Sequence, residues 1–316
     1  MSTSPSAETS NFAPLGIRRR VLGPLFASAC LLATTTGVVV LVILLGALIG
    51  VILRGDVSEP KVIERGGLDL LRFLMTNLQS SNPALAGYKA GIAGSLRLLG
   101  IVLCTAIPVG VGTAIYLEEY AADGPMKRLI QTNIANLAAV PSIVYGILGL
   151  AVFVRAFGYD RLALGPVLLS GGLTLSLLVL PVLVISTQEA LRTVPASLRQ
   201  AALALGASRW QVIRDHVLPS AMPGILTGTI LALSRAIGET APLLLAGAAG
   251  SILRLPRGLM SRYTALPVEI YNYAKEAKPA YQLVTVGGIL ILVALLLSMN
   301  ALAILIRNRY SRGPRA

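Results

Sequence analysis

Residues 200–242 read QAALALGASRWQVIRDHVLPSAMPGILTGTILALSRAIGETAP. Gln200, Ala201 and Ala202 open a helix-prone run, Gly206 interrupts it, and Leu218 with Pro219 closes a polar connector. An apolar stretch follows that carries Ser234, Arg235, Glu239 and Thr240 and runs into Pro242. A polar connector built of two short helical pieces thus feeds a membrane span that holds two charges.

Working outward from that stretch, the chain has 316 residues, 55% hydrophobic and only 13% charged, with mean hydropathy +0.75. This is the composition of a multi-span, all-α membrane protein. A crossing helix needs about 20 apolar residues, and six stretches meet that length: 27–53, 94–117, 135–157, 163–187, 223–248 and 283–306. The first is too long for the roughly 7–15-residue core of a cleaved signal peptide and reads as a retained span. Residues 1–16, rich in Ser, Thr and Pro, read as disordered. The resulting division is a tail over 1–26, a first span over 27–53, an external segment over 54–93, a transmembrane domain over 94–307 and a tail over 308–316.

The net charge is +13. In a soluble domain it would suggest nucleic acid, but Arg18, Arg19 and Arg20 precede the first span and Arg307, Arg309, Arg312 and Arg315 follow the last. Juxtamembrane topology signals account for them, and no nucleic-acid partner is expected. The raw Lys/Arg tally does not separate the two sides. Weighting charges that abut spans puts both termini in the cytoplasm. Cys30 and Cys104 both fall in apolar spans, so no structural disulfide is expected, and a single His with no CxxC argues against a metal site.

Between the spans, 54–93 holds an amphipathic stretch (Leu68, Leu70, Leu71, Phe73, Leu74, Leu78) expected as a short helix on the outer membrane surface. Residues 250–282 carry Pro256, Pro267 and Pro279 with Tyr263, Tyr271, Tyr273 and Tyr281, a pattern that suits a surface-lying loop with interfacial tyrosines. Lys61, Arg65, Arg254, Arg257 and Arg262 make the outer segments basic, fit either to attract an acidic partner or anion or to be ordinary solvated charge. Glu118 and Glu119 read as a solvated helix end.

The connector at 188–222 is the longest segment expected inside. Pro195 suits a first helical turn, Ala196–Leu205 is helix-prone, and Gly206 permits a sharp turn. Ser208 can cap a second helix over 209–216, which Pro219 and Pro223 are expected to break before the fifth span begins. From spacing alone this is equally an amphipathic loop lying on lipid headgroups. In the span itself, Arg235 and Glu239 stand four residues apart on one helix face. Each charge costs roughly 2.5–3.5 kcal/mol in mid-bilayer on insertion scales. Either the two neutralise one another, or they line a polar pathway in which the planar guanidinium fork matches an oxyanion. Ser234 and Thr240 add hydroxyls beside them, and Pro242 is expected to kink the helix just beyond.

The connector resembles the EAA motif of bacterial ABC importer permeases, in which Glu-Ala-Ala is followed by three residues, Gly, nine residues, Ile, one residue and Leu-Pro. Here Gln200 stands for the Glu and His216 for the Ile. Ala201, Ala202, Gly206, Leu218 and Pro219 match. The stretch GETAPLL at 238–244, with AIYLEEYA at 114–121, VPSIVYG at 140–146, Ala265-Leu266-Pro267 with Ile270-Tyr271, and Met299-Asn300-Ala301 with Arg307-Asn308, is similar to PstA-type permeases of the phosphate importer, over roughly 93–310. The resemblance implies a six-span type I (MetI-like) fold. It implies a PstC-type sister permease, two copies of a PstB-type ATPase docked on 188–222 and a periplasmic phosphate-binding protein of PstS type, with inorganic phosphate meeting Arg235 and Glu239. ATP and Mg then belong to the ATPase, in keeping with the absence of a P-loop: none of the five lysines follows a glycine. The remaining readings are the sister subunit, a permease for sulfate or molybdate, a secondary transporter, or a membrane-bound enzyme. The last two lack inverted repeats and a catalytic constellation, respectively.

Overall fold

The computed structural model of the chain describes residues 17–54, 67–159, 162–248 and 255–311. The basic positions Lys61, Arg65 and Arg254 and the tail at 1–16 lie outside the described residues. The chain divides into two compact units, 1–50 and 51–316. Helix α1 (Ile17–Arg54) supplies the described part of the first. It is long and apolar enough to cross a membrane, and the side chains described in the first unit are almost all exposed, as suits a helix solvated by lipid.

The second unit is helical, with no strand among the described residues. It comprises α2 (Gly67–Thr76), α3 (Lys89–Ile115), α4 (Pro125–Ala138), α5 (Ser142–Gly149), α6 (Leu168–Arg192) and α7 (Ala196–Ala204). Then come α8 (Arg209–Val212), α9 (Leu218–Gly238), α10 (Ala241–Leu245), α11 (Leu266–Ala274) and α12 (Ala280–Ser311). Helix α6 is the centre. The Thr105 and Ser176 hydroxyls meet at 2.6 Å between α3 and α6. On α9, a Cβ at Gly224 would come within 2.7 Å of the Ala190 Cβ, and one at Gly228 within 2.1 Å of the Ser186 Oγ. Without an apolar solvent contrast to drive helices together, such small-residue contacts and hydrogen bonds let backbones approach.

The stretch 135–157 is not one helix: α4 and the helical segment 142–154 meet at 102°. Pro141 forces Val140 out of the helical region and cannot donate to the preceding turn, so the chain turns there. Pro219 and Pro223 do not separate α8 from the fifth span. The helix runs on from Arg209 to Gly238 through a π-turn at Ile213–Val217. The widened turn relieves the clash between a proline ring and the carbonyl four residues before it. At the other end, α9 stops at Gly238, four residues before Pro242, whose ring forbids continuation past that carbonyl.

The tyrosines of 250–282 are mostly interior. Tyr263, Tyr273 and Tyr281 are buried, and Tyr271 alone of the four is exposed. Their hydroxyls have partners: that of Tyr273 accepts from the Ser80 N–H at 3.3 Å, and that of Tyr281 donates to the Ser80 carbonyl at 3.4 Å. Tyr273 stacks on Tyr281 with ring centroids 5.4 Å apart. Likewise α2 turns Leu70 and Leu74 into a core shared with Tyr88, Tyr273 and Val284 rather than leaving its apolar face to a membrane surface.

Candidate functional site

Arg235 and Glu239 come together, though not as neighbours on a continuous helix. Arg235 closes the last turn of α9, while Glu239 follows it in extended backbone (φ −77°, ψ 126°). The Arg235 Nε lies 3.4 Å from the Glu239 Oε1, with 37% of the Arg235 side chain and 18% of the Glu239 side chain exposed. The packing register fixes their depth. Gly224 sits on Ala190 and Gly228 on Ser186, so each step of four along α9 moves four back along α6, and Ala236 falls level with Leu178. That is near the midpoint of α6, which runs from Leu168 to Arg192. The pair therefore stands about half-way through the bundle, at a break between two helices.

Ser234 donates to the Asn300 Oδ1 at 2.6 Å, which ties α9 to α12. Asn300 lies in a stretch quoted above for its resemblance, but nothing in its spacing marked it as a partner of Ser234. Thr240 is the N-cap residue of α10, with no side-chain capping bond. Beneath α10 lies α5. Its Tyr145 donates to the Leu137 carbonyl at 2.8 Å across the α4–α5 bend and lies close enough to Arg235 to interact with it electrostatically. Among the described residues no cluster of three or more His, Cys, Asp or Glu could hold a metal.

The connector forms a separate site at the end of α6. Ala202 faces inward and is buried with Ala114, Leu117, Val212 and Val217. Gln200, Ala201, Leu203, Ala204, Leu205 and Trp210 face outward; Leu205 is 90% exposed. Gly206 has φ +84°, the left-handed conformation that ends α7. Ser208 and Gln211 form a reciprocal capping box at the start of α8. Leu218 is half-buried, and Pro219 and His216 are exposed.

Glu118 and Glu119 are not a solvated helix end. Helix α3 closes in a π-turn over Tyr116–Tyr120, and only 13% of the Glu118 side chain and 11% of the Glu119 side chain remain exposed. Glu118 accepts from Gln188 Nε2 at 2.8 Å and from Arg192 at 2.6 Å. Glu119 accepts from two nitrogens of Arg199, at 3.2 and 2.8 Å. A usable signal was present: arginines spaced seven apart in the connector, facing two adjacent acids at the end of an apolar span.

Residues 106–312 match the family described as binding-protein-dependent transport system inner membrane component. A probable ABC transporter permease protein, YqgI, of Bacillus subtilis is 34% identical over 82% of this chain and 90% of its own length. The phosphate transport system permease protein PstA 1 of Mycobacterium tuberculosis H37Rv is 36% identical over 72% of each chain. PstA of Mycobacterium leprae is 38% identical over 68% of each. Among solved structures, a chain of a bacterial alginate ABC transporter in complex with its periplasmic protein overlays with a TM-score of 0.64 at 17% identity, covering 94% of this chain and 98% of that one. A chain of the MetNI methionine transporter overlays with a TM-score of 0.55 at 18% identity, over 78% and 100%. The type I importer-permease fold is thus shared well beyond recognisable sequence. With the connector and the charged break both inside the matched region, the chain belongs to the binding-protein-dependent transport system inner membrane components.

Proposed function

We propose that this chain is one half of the membrane pathway of an ATP-driven inorganic phosphate importer. The observation that carries the reading is the Arg235–Glu239 pair, held half-way through the bundle at the α9–α10 break and still partly open at the surface of the single chain. A charged side chain at that depth is costly against lipid. It is accommodated if this face meets a second permease across a polar path. Arg235 offers phosphate oxygens a planar fork of charged donors. Glu239 orients Arg235 when the path is empty and accepts a hydrogen bond from a protonated phosphate oxygen. Ser234, with Asn300 behind it, and Thr240 complete the polar lining. That relatives over 30% identical are named phosphate permeases supports this anion over sulfate or molybdate.

In this reading the sister permease is of PstC type and a periplasmic PstS-type protein delivers the anion. Two PstB-type ATPase subunits hydrolyse ATP with Mg outside this chain, which binds no cofactor of its own. Gln200, Ala201, Ala202, Gly206, Leu218 and Pro219 mark the ATPase-coupling segment. Both termini lie in the cytoplasm, on the side of 188–222, and lipid solvates the outer faces of the spans. The test is radiolabelled phosphate uptake in cells whose own PstA-type subunit is replaced by this chain. Uptake competed away by unlabelled phosphate alone is the expected result. Competition by sulfate or molybdate overturns the choice of anion.

A further inference from the structure

We propose that Glu118 and Glu119 are positioning residues for energy coupling, clamping the ATPase-facing connector to the end of α3. The proposal rests on reading 188–222 as the segment an ATPase engages. A push on α7 then reaches α3 directly, besides travelling along the backbone into α6 and, through α8, into α9.

The geometry is specific. Arg199, on α7, uses two nitrogens on the Glu119 carboxylate, and it also donates to the carbonyls of Val194 at 2.7 Å and Leu191 at 2.9 Å. Leu191 lies in the last turn of α6, where a positive charge is favoured. One guanidinium thus joins α7, the end of α6 and the end of α3. Glu118 adds a second tie through Gln188 and Arg192 on α6. The π-turn matters because its wider winding carries two consecutive carboxylates into the same crevice between α6 and the connector. Below these ties, Ala202 of α7 shares one apolar core with Ala114 and Leu117 at the end of α3. A largely buried carboxylate stripped of its partner is left uncompensated, so such a clamp holds or fails as a unit.

Beyond the clamp, α3 is bonded to α6 through Thr105 and Ser176, and α6 is packed on α9 by contacts too close for a side chain at Gly224 or Gly228. The connector is therefore geared to the same body that carries Arg235. No acidic residue occurs from 190 to 214, so the carboxylates that hold Arg192 and Arg199 come from the end of α3.

The test uses the permease assembled with its sister, ATPase and binding protein in proteoliposomes, reading phosphate imported per ATP hydrolysed. Glu119→Gln and Arg199→Gln are each expected to lower that ratio roughly tenfold, with the double variant no worse than either single one. Glu119→Asp, which keeps the charge but retracts it by one methylene, is expected to fall between. A parental ratio in both single variants, or a double loss equal to the product of the two, overturns the clamp. Titration of the ATPase onto the permease in lipid nanodiscs gives the same cycle without substrate, each single variant weakening binding roughly fivefold or more and the double no further. Parental vesicles that bind the ATPase but import no phosphate sink the phosphate reading and leave the clamp to be judged on this titration. Failure of the ATPase to bind the parental permease overturns both.

Discussion

A Cβ on Gly146 would lie 2.7 Å from the Cα of Pro242. The two residues belong to α5 and α10, the second arm of the bent pair and the short helix that follows the charged break. Their contact fixes where the chain resumes after Glu239. A side chain at 146 has only backbone and Leu245 to push against, so α10 must move. Overpacking of this kind costs about 1–3 kcal/mol, which the position of α10 absorbs. We expect Gly146→Val to leave the complex assembled while phosphate uptake falls roughly tenfold or more. Parental uptake in that variant would show that α10 does not set the geometry of the site.

Arg235→Ala removes the donor fork at mid-depth. Charge-assisted hydrogen bonds contribute about 1.5–3 kcal/mol each, so losing two lowers uptake on the order of a hundredfold or more. Arg235→Lys keeps the charge but not the fork, and it recovers only part of that loss. The measurement is initial uptake rate in cells with equal amounts of assembled complex. Near-normal uptake in Arg235→Ala would make the ion pair a device for placing a polar break in the bundle rather than a contact for the anion.

Much of this was legible in the sequence, for reasons that differ from residue to residue. Arg235 and Glu239 stand out because a charge in an apolar run demands a reason. The connector announces itself through Gly206, Ser208 and Pro219, each a local backbone signal. The break at Glu239 was readable by counting four residues back from Pro242, although the expectation put the kink beyond the site. The bend between α4 and α5 does not show in the length and apolarity of 135–157, which ignore the direction the chain takes at Pro141. The role of Asn300 is not legible because one amide in a long apolar helix gives no hint of its partner. Glu118 and Glu119 look solvated in the sequence because they are adjacent acids at a span end, and no sequence pattern announces the π-turn that turns them inward.

Gly206 has φ +84°, and a Cβ there meets nothing within 4 Å. The effect of a substitution is therefore conformational, roughly 1–2 kcal/mol for a residue that resists the left-handed region. Gly206→Leu is expected to insert normally and retain basal ATP hydrolysis while phosphate imported per ATP falls. Gly206→Asn, which tolerates this conformation, is expected to remain near the parental ratio. Equal behaviour of the two variants would remove the turn from the coupling mechanism.

Glu269 makes the stability of the fold depend on pH. Its side chain is fully buried, and neither oxygen has a hydrogen bond of ordinary geometry. A Cβ on Gly91, in the first turn of α3, would lie 2.5 Å from its Oε2. Burial pushes the carboxyl up from 4.5 to about 8, against a smaller opposing effect of the Gly91 N–H. In this range the folded chain holds a proton that the unfolded chain has released. Stability is therefore full below about 4.5, declines as pH rises towards about 8, and levels off above it, with a total loss on the order of a few kcal/mol. Glu269→Gln mimics the neutral acid and removes the decline. The check is thermal unfolding of the purified complex between about pH 5 and pH 9. The parental melting temperature is expected to fall with rising pH while that of Glu269→Gln falls much less. Parallel curves would mean that Glu269 does not hold the proton. Glu269 thus ties pH to the packing of α11 on the start of α3, at the other end of α3 from the connector.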